Sequence, residues 1–223
     1  MTKKSSRAKA IEAINQKGIL LVFPIDNRKD IPSLWAEFYP RTKMRWEWDE
    51  DHDNRVSTLW RLREELSTSN EVIYTKWFRG RATFFSKEVF GALLKLLNPG
   101  HQPQVSLSQD ARRVLETLEM DSPLSTKVLK RSTDLQGRFN EATYTRATKE
   151  LWSRLLIVAY GEVDEGAFPS LAIGATRVLF EELYREARSM SEEQAFAILR
   201  EQTPAQSPFL QFFQKLKKSC AAA

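Results

Sequence analysis

Residues 140–173 read NEATYTRATKELWSRLLIVAYGEVDEGAFPSLAI, and the spacing of the apolar residues changes part-way along this stretch. Up to Arg154 they recur every three or four positions, which predicts a helix that Asn140 can cap. Residues 156–163 and 168–173 are rich in branched side chains and flank an acidic turn with glycine, which predicts two paired strands. The stretch therefore predicts one helix followed by a β-hairpin.

Two shorter helices are predicted before this stretch. Residues 108–119 place Ala111, Val114, Leu115 and Leu118 on one face, and residues 126–135 follow a turn that contains a capping serine. Three short helices followed by a β-hairpin is the order of elements in a winged helix. The preceding residues 98–103 contain two prolines and a glycine, which favour a linker. We therefore predict a winged helix-turn-helix domain over residues 103–176.

The flanking regions differ in character. Residues 1–100 alternate predicted helices with strands over residues 19–23, 71–78 and 82–85, and they contain five of the six tryptophans. Two of the helices are predicted over residues 54–67, with Val56, Leu59, Leu62 and Leu66 on one face, and over residues 87–97, with Ser86 as the cap. Residues 177–223 predict three helices only: one over residues 178–188, a second that opens with the capping box at Ser191, and a third over residues 208–218. The predicted fold class is α+β, with a Trp-rich α/β module over residues 1–100, the central winged helix and a C-terminal helical cap over residues 177–223.

Composition limits where the protein can work. The chain has 223 residues, 42% of them hydrophobic, and a net charge of +5. Its longest apolar run, residues 155–160, is far below the roughly 20 residues that cross a bilayer, so no membrane partner is predicted. Cys220 is the only cysteine, and the basic N-terminus leads into no apolar signal core. We predict a cytoplasmic protein, nucleoid-associated if it binds DNA.

The predicted winged helix carries a local excess of positive charge. Residues 122–154 contain seven cationic side chains against three acidic ones; the cations are Lys127, Lys130, Arg131, Arg138, Arg146, Lys149 and Arg154. On the third helix, the spacing predicts that Tyr144, Ala147, Leu151 and Leu155 face the core, and the side chains that lie away from them are Thr143, Arg146, Lys149 and Ser153. The second helix of a helix-turn-helix motif presents such side chains to the major groove. Duplex DNA is the predicted partner, and a scaffold with an ordinary solvated charged face is the alternative.

Two further features of the first module admit a binding role. Arg79 and Arg81 flank Gly80 at the turn of the predicted 71–85 hairpin, where they could contact a phosphate or simply be solvated. The tryptophans Trp35, Trp46, Trp48, Trp60 and Trp77 could form a base-stacking platform. An aromatic cluster is more often core, so we predict that they are buried.

Few residues suit catalysis or cofactor binding. The only histidines, His52 and His101, lie in predicted turns, which leaves almost no material for a Ser-His-Asp triad or a histidine metal site. Glycine never occurs in a nucleotide-binding spacing. The acidic residues between 47 and 53 lack the spacing of a calcium loop. We predict no cofactor, no nucleotide and no metal, and the oligomeric state stays open.

Several segments resemble one known family. They are Pro24, residues 31–35, the pair Trp46-x-Trp48, and Tyr74-x-Lys-x-x-Arg-Gly-Arg-Ala-Thr-Phe84 with Ser86. Together with the predicted winged helix they resemble the AlkZ-related proteins, over residues 11–216. These are similar to the winged-helix DNA glycosylases that excise alkylated or crosslinked bases. The resemblance implies a role linked to DNA repair or regulation.

The resemblance also sets the alternatives for activity. The glycosylases have three tandem winged helices and a Gln-x-Gln or Gln-x-Asp motif that activates water, whereas this chain is too short for three copies. Gln102 and Gln104 match the motif but lie in the predicted linker. We predict a non-catalytic DNA-binding protein. The alternatives are a glycosylase that uses Gln102 and Gln104, and a protein-interaction scaffold.

Overall fold

The computed structural model describes residues 5–45, 54–100, 106–163 and 169–221. Its first part contains four helices and three strands: α1 (Ser6–Lys17), β1 (Ile19–Leu21), α2 (Leu34–Phe38), α3 (Asn54–Ser67), β2 (Ile73–Thr75), β3 (Thr83–Phe85) and α4 (Lys87–Leu97). The strands form one antiparallel sheet in the order β1-β3-β2. The predicted 71–85 hairpin is thus present, although its strands are shorter than expected.

Helix α4 lies at the centre of the molecule. Ser86 caps it as predicted, because its hydroxyl accepts a hydrogen bond from the Val89 amide at 3.3 Å. The helix contacts α9 (Glu181–Ser189), α10 (Glu192–Gln202) and α11 (Pro208–Ala221). Eight of its residues are buried, since the C-terminal helices cover the surface that would otherwise face solvent.

The second part contains three helices and three strands: α5 (Gln109–Met120), β4 (Leu124–Ser125), α6 (Thr126–Ser132), α7 (Glu141–Ser153), β5 (Ile157–Val163) and β6 (Ser170–Ala175). The strands form an antiparallel sheet in the order β4-β6-β5. The two sheets confirm the α+β class; the assignment to the winged helix remains a prediction.

The start of α7 differs from the prediction in one detail. Asn140 does not cap the helix; its side-chain amide donates to the backbone carbonyls of Asp134 and Gln136 instead. The reason is its backbone, which is near-helical at φ −95° and ψ −4° rather than extended as a cap residue usually is. Asn140 therefore orders the preceding turn, Arg138–Asn140.

The C-terminal part has helices as the regular elements of its described residues from Thr176 onward, and short turns connect them. The single helix predicted over residues 178–188 is wrong: α8 (Thr176–Leu179) and α9 are separated by Phe180, whose φ of −131° and ψ of 53° are not helical. This break buries Phe180, whose ring centre lies 6.5 Å from that of Tyr160. The capping box at Ser191 is confirmed. No helix in the described parts is long and apolar enough to cross a membrane.

A buried polar network joins the first part to the second. The Arg63 guanidinium on α3 pairs with the Glu162 carboxylate on β5 and donates to the Tyr74 hydroxyl at 3.2 Å. Beside it, the Gly161 amide donates to the Ser67 hydroxyl at 3.0 Å. The buried apolar side chains of both parts also belong to one continuous cluster.

The first residues of the predicted linker, 98–100, are hydrogen-bonded both to the end of α7 and to α9. The side-chain amide of Asn98 donates to the carbonyls of Leu94 and Arg154 at 2.9 and 2.8 Å. The guanidinium of Arg188 on α9 donates to the carbonyls of Asn98 and Gly100. Residues 101–105 lie outside the described residues. The predicted domain limits at 100, 103 and 176 remain predictions.

The tryptophans fall into three groups. Trp35 and Trp77 are each 2% exposed, as expected for core residues. The prediction for Trp60 is wrong, because 46% of this residue is exposed. The buried face of α3 is formed by Leu59, Leu62 and Leu66, and a residue one position after Leu59 is rotated about 100° away from it. Trp46 and Trp48 lie outside the described residues.

Candidate nucleic-acid interface

Three segments that are distant in sequence border one cleft of about 720 Å³. The first is the turn after β2, a single 3-10 turn over Phe78–Gly80 that contacts α7. The second is formed by α6 and α7 together with Ile173 of β6, and the third is α11. The cleft therefore lies where the first module, the predicted winged helix and the C-terminal helices meet.

Helix α7 contributes a stripe of two aromatic residues and a threonine to the cleft. Tyr144, Thr148 and Trp152 recur at four-residue spacing, so they lie above one another on one face. Ala147 and Leu151, also buried, belong to the side that packs in the core. The stripe lies between this core side and the exposed charged side, which explains why the apolar pattern alone assigned Tyr144 to the core.

The opposite wall is also aromatic and holds α11 in place. The rings of Trp77 and Phe212 meet edge to face with centres 5.0 Å apart. Phe78 packs in the same way against Phe209 and Phe212, at 4.8 and 5.1 Å. Edge-to-face contacts of this kind stabilise beyond the burial of the rings themselves. They fix α11 beside the turn and thereby bring Lys215 to the cleft.

The turn that carries Arg79 has an uncommon backbone. Arg79 and Gly80 both have positive φ, at 53° and 73°. An arginine in this region is uncommon because its side chain crowds the backbone. The Thr83 hydroxyl stabilises the turn, since it donates to the Arg81 carbonyl at 2.8 Å and accepts from the Phe78 amide at 3.4 Å. Strained residues of this kind cluster at functional sites.

The cleft is strongly basic. Its lining includes Lys76, Arg79, Lys130, Lys149 and Lys215 against one carboxylate, that of Glu141. Lys130 pairs with Glu141 at 2.6 Å, whereas the other four cations form no ion pair with any described carboxylate. Glu150 does not neutralise Lys149, because its carboxylate accepts hydrogen bonds from the amide and hydroxyl of Ser108.

The electrostatic strain of this arrangement is visible at Lys76. Although the residue as a whole is exposed, the surrounding protein partly desolvates its ammonium, and the Arg63 guanidinium repels it. Both effects disfavour the charged form, burial being the larger, and they lower the pKa of Lys76 below its ordinary value. An anion that entered the cleft would relieve the repulsion.

Two polar atoms in the cleft walls have no hydrogen-bond partner among the described residues. They are the indole Nε1 of Trp77 and the hydroxyl of Tyr144, and both are buried. The Thr126 hydroxyl lies close to that of Tyr144 but is not in hydrogen-bond geometry with it, and it donates to the Leu171 carbonyl instead. A buried polar group without a partner costs about 1–3 kcal/mol. Such groups are rare in native proteins, where a bound water or ion, stored strain or a functional role accounts for them.

The sequence profile of the AlkZ-related family matches residues 5–216. The chain belongs to this family. The match confirms the resemblance carried by residues 31–35 and 74–84. No curated protein and no solved structure is similar enough to the chain to match it.

In this AlkZ-related protein, the predicted DNA-binding residues divide into two sets. Lys130, Lys149, Ser153 and Arg79 line the cleft. Exposed positions outside the cleft lining are occupied by Lys127, Arg131, Arg138, Arg146 and Arg81, and Thr143 is half-buried. The charged side of α7 is therefore shared between the cleft and the outer surface.

Sequence analysis did not identify Lys215, Trp152 and Phe212 as site residues. Lys215 and Phe212 join the cleft only through the packing of α11, for which the sequence has no local signal. Gln102 and Gln104, the pair that the glycosylase alternative would use for catalysis, and the acidic residues 47–53 lie outside the described residues. Within the described ranges, no three His, Cys, Asp or Glu side chains are grouped as a metal site requires.

Replacing Tyr144 with phenylalanine should preserve or raise stability at pH 7, because it removes a buried hydroxyl that has no partner. Burial raises the pKa of Tyr144 to about 12. The unfolded chain loses this proton above pH 10 and the folded chain keeps it, so the parent should lose stability relative to the phenylalanine variant, by about 1.4 kcal/mol per pH unit between pH 10 and 12. Urea unfolding of both proteins at several pH values measures this; parallel curves would contradict the assignment.

Proposed function

We propose that this AlkZ-related protein binds DNA, in a role linked to DNA repair or regulation, and that the cleft is one of its contact sites. The observation that carries the proposal is the set of four cations, Lys76, Arg79, Lys149 and Lys215, that face a cleft with aromatic walls and have no carboxylate partner in the described chain. Unpaired cations beside aromatic side chains suit a ligand that combines phosphates with aromatic bases.

The size of the cleft indicates how DNA is engaged. At about 720 Å³ it compares with pockets for small molecules, so it accepts a nucleotide-sized part of a strand and not the width of a duplex. The remaining contacts would come from the exposed cations on and beside α7, which include Arg131, Arg138 and Arg146. This division matches the way phosphate contacts outside a site position a nucleic acid.

The elements around the cleft also support the proposal. Helices α5, α6 and α7 and the β5–β6 hairpin follow the order that is typical of a winged helix, in which the helix equivalent to α7 contacts the major groove. Family membership favours a DNA-linked role over the scaffold alternative. Neither argument requires catalysis.

The test is a double variant, Lys149→Ala with Lys215→Ala, compared with the parent for duplex binding over a range of salt concentrations. Each phosphate contact contributes about 0.9 to the slope of log affinity against log salt, so the slope should flatten by up to about two. The matched control is Lys29→Ala with Lys87→Ala, which removes the same charge from two exposed positions outside the cleft lining.

Unchanged affinity and slope in the cleft variant would contradict the proposal and favour a scaffold. An equal loss in the control would show that net charge alone determines binding. Analysis of released bases in the same reactions, on intact and alkylated duplexes, tests the glycosylase alternative. A robust release that disappears when Gln102 and Gln104 are both replaced by alanine would establish that activity.

A further inference from the structure

Phe139 is the most exposed large hydrophobic side chain in the described chain. Its exposed fraction is 98%, ahead of Met120 at 82%. The residue lies in the single 3-10 turn Arg138–Asn140, directly before α7. A single exposed hydrophobic residue is ordinary on a protein surface. The position and surroundings of Phe139 are what distinguish it.

The turn holds Phe139 outward through its own hydrogen bonds. The side-chain amide of Asn140 donates to the carbonyls of Asp134 and Gln136 at 3.3 and 3.1 Å, and the backbone amide of Asn140 donates to the Gly137 carbonyl at 3.1 Å. Gly137 has a φ of 90°, which favours glycine at this point. Phe139 is therefore presented from a backbone that is already ordered, and contact with a partner would cost little conformational entropy.

The surroundings of Phe139 are cationic. Arg138 precedes it, Arg131 lies in the last turn of the preceding helix α6, and both side chains are exposed. Glu141, two residues later, lines the cleft and is paired with Lys130, so the turn stands at one end of the basic cleft. An apolar protein partner would have to desolvate these charges, whereas a polyanion with an apolar interior satisfies both the arginines and the ring.

We propose that Phe139 inserts between two adjacent base pairs of duplex DNA and bends the duplex at that step. This inference rests on the proposed DNA binding. Apolar side chains used in this way partly unstack one base step and let the bent duplex contact more of the protein. Arg131 and Arg138 would hold the phosphates on either side of the opened step. The cleft that begins at Glu141 would then receive the adjoining part of the strand.

The test uses a duplex that contains one 2-aminopurine, a base whose fluorescence rises when it is unstacked. Binding of the parent should raise the fluorescence at one position of the label. Phe139→Ala should abolish the rise and weaken affinity about 5- to 150-fold, the range that corresponds to the loss of one base–aromatic contact. Phe139→Trp should restore both. Because the side chain is exposed, the melting temperature should not change.

Met120→Ala is the matched control, since Met120 is nearly as exposed but lies at the end of α5, and it should leave binding unaltered. If the parent binds no duplex, the proposed function fails and the insertion with it. If the parent binds and Phe139→Ala matches it in affinity and fluorescence, only the insertion is wrong. The insertion is also overturned if Phe139→Ala weakens dimerisation or binding to anionic lipid vesicles while DNA binding is unchanged.

Discussion

Replacing Glu162 with alanine should lower the free energy of unfolding by about 3–5 kcal/mol, because it leaves the buried guanidinium of Arg63 without its counter-charge. The two side chains are only 6% and 10% exposed. Burial by itself would lower the pKa of Arg63, but the Tyr74 oxygen and the Glu162 carboxylate raise it above its ordinary value. The cation thus depends on its two partners.

Urea unfolding of the parent, Glu162→Ala and the double variant Arg63→Leu with Glu162→Leu measures the effect. Removing both charges should cost much less than removing one, since apolar residues often replace a buried ion pair without loss. Asp30→Ala, which breaks the exposed pair with Arg28, is the control and should leave the unfolding midpoint nearly unchanged. A small effect of Glu162→Ala would show that water reaches Arg63 and that this network does not hold the two parts together.

The elements that sequence predicted well have local causes. Helices α3 and α4 have the predicted limits, and Ser86 and Ser191 cap their helices as predicted. In each case a hydroxyl bonds to a backbone amide three residues away, so the signal lies within four residues of sequence. The basic excess around α7 was likewise visible by counting.

What sequence did not predict depends on packing between distant segments. The cleft joins Lys76, Lys149 and Lys215, which are separated by more than sixty residues at each step. The position of Lys215 follows from contacts of Phe209 and Phe212 with the turn at Phe78. Periodicity assigned Tyr144 to the core, and its burial agrees, but only the docked α11 makes the same ring part of a cleft wall.

Trp60 shows why residue type alone misjudges burial. Tryptophan is usually buried, and the module around Trp60 has a large aromatic core. The residue nevertheless lies on the outer side of α3, where the Arg63 guanidinium stacks over its ring at 4.1 Å. An arginine that covers the ring lowers the cost of exposing it. The pattern Leu59, Leu62, Leu66 carried the correct assignment, because it fixes which side of the helix is buried.

The two tryptophans therefore form a matched pair for a stability test. Trp35→Ala should lower the free energy of unfolding by about 3–5 kcal/mol, the usual cost of truncating a buried aromatic side chain. The substitution also removes the indole donor that bonds to the Thr42 carbonyl at 2.8 Å and the edge contact with Tyr39 at 5.0 Å. Trp60→Ala should cost about 1 kcal/mol, chiefly the stacking of Arg63.

Thermal and urea unfolding, with duplex binding measured in parallel, separate core from surface roles. We expect Trp35→Ala to shift the unfolding midpoint strongly, and we expect the folded fraction to bind DNA as the parent does, because Trp35 does not line the cleft. Unaltered unfolding of Trp35→Ala together with lost binding would place its ring on a binding surface and contradict its assignment to the core. A large destabilisation by Trp60→Ala would instead show that the Arg63 stack contributes to the buried network with Glu162, since the same guanidinium serves both contacts.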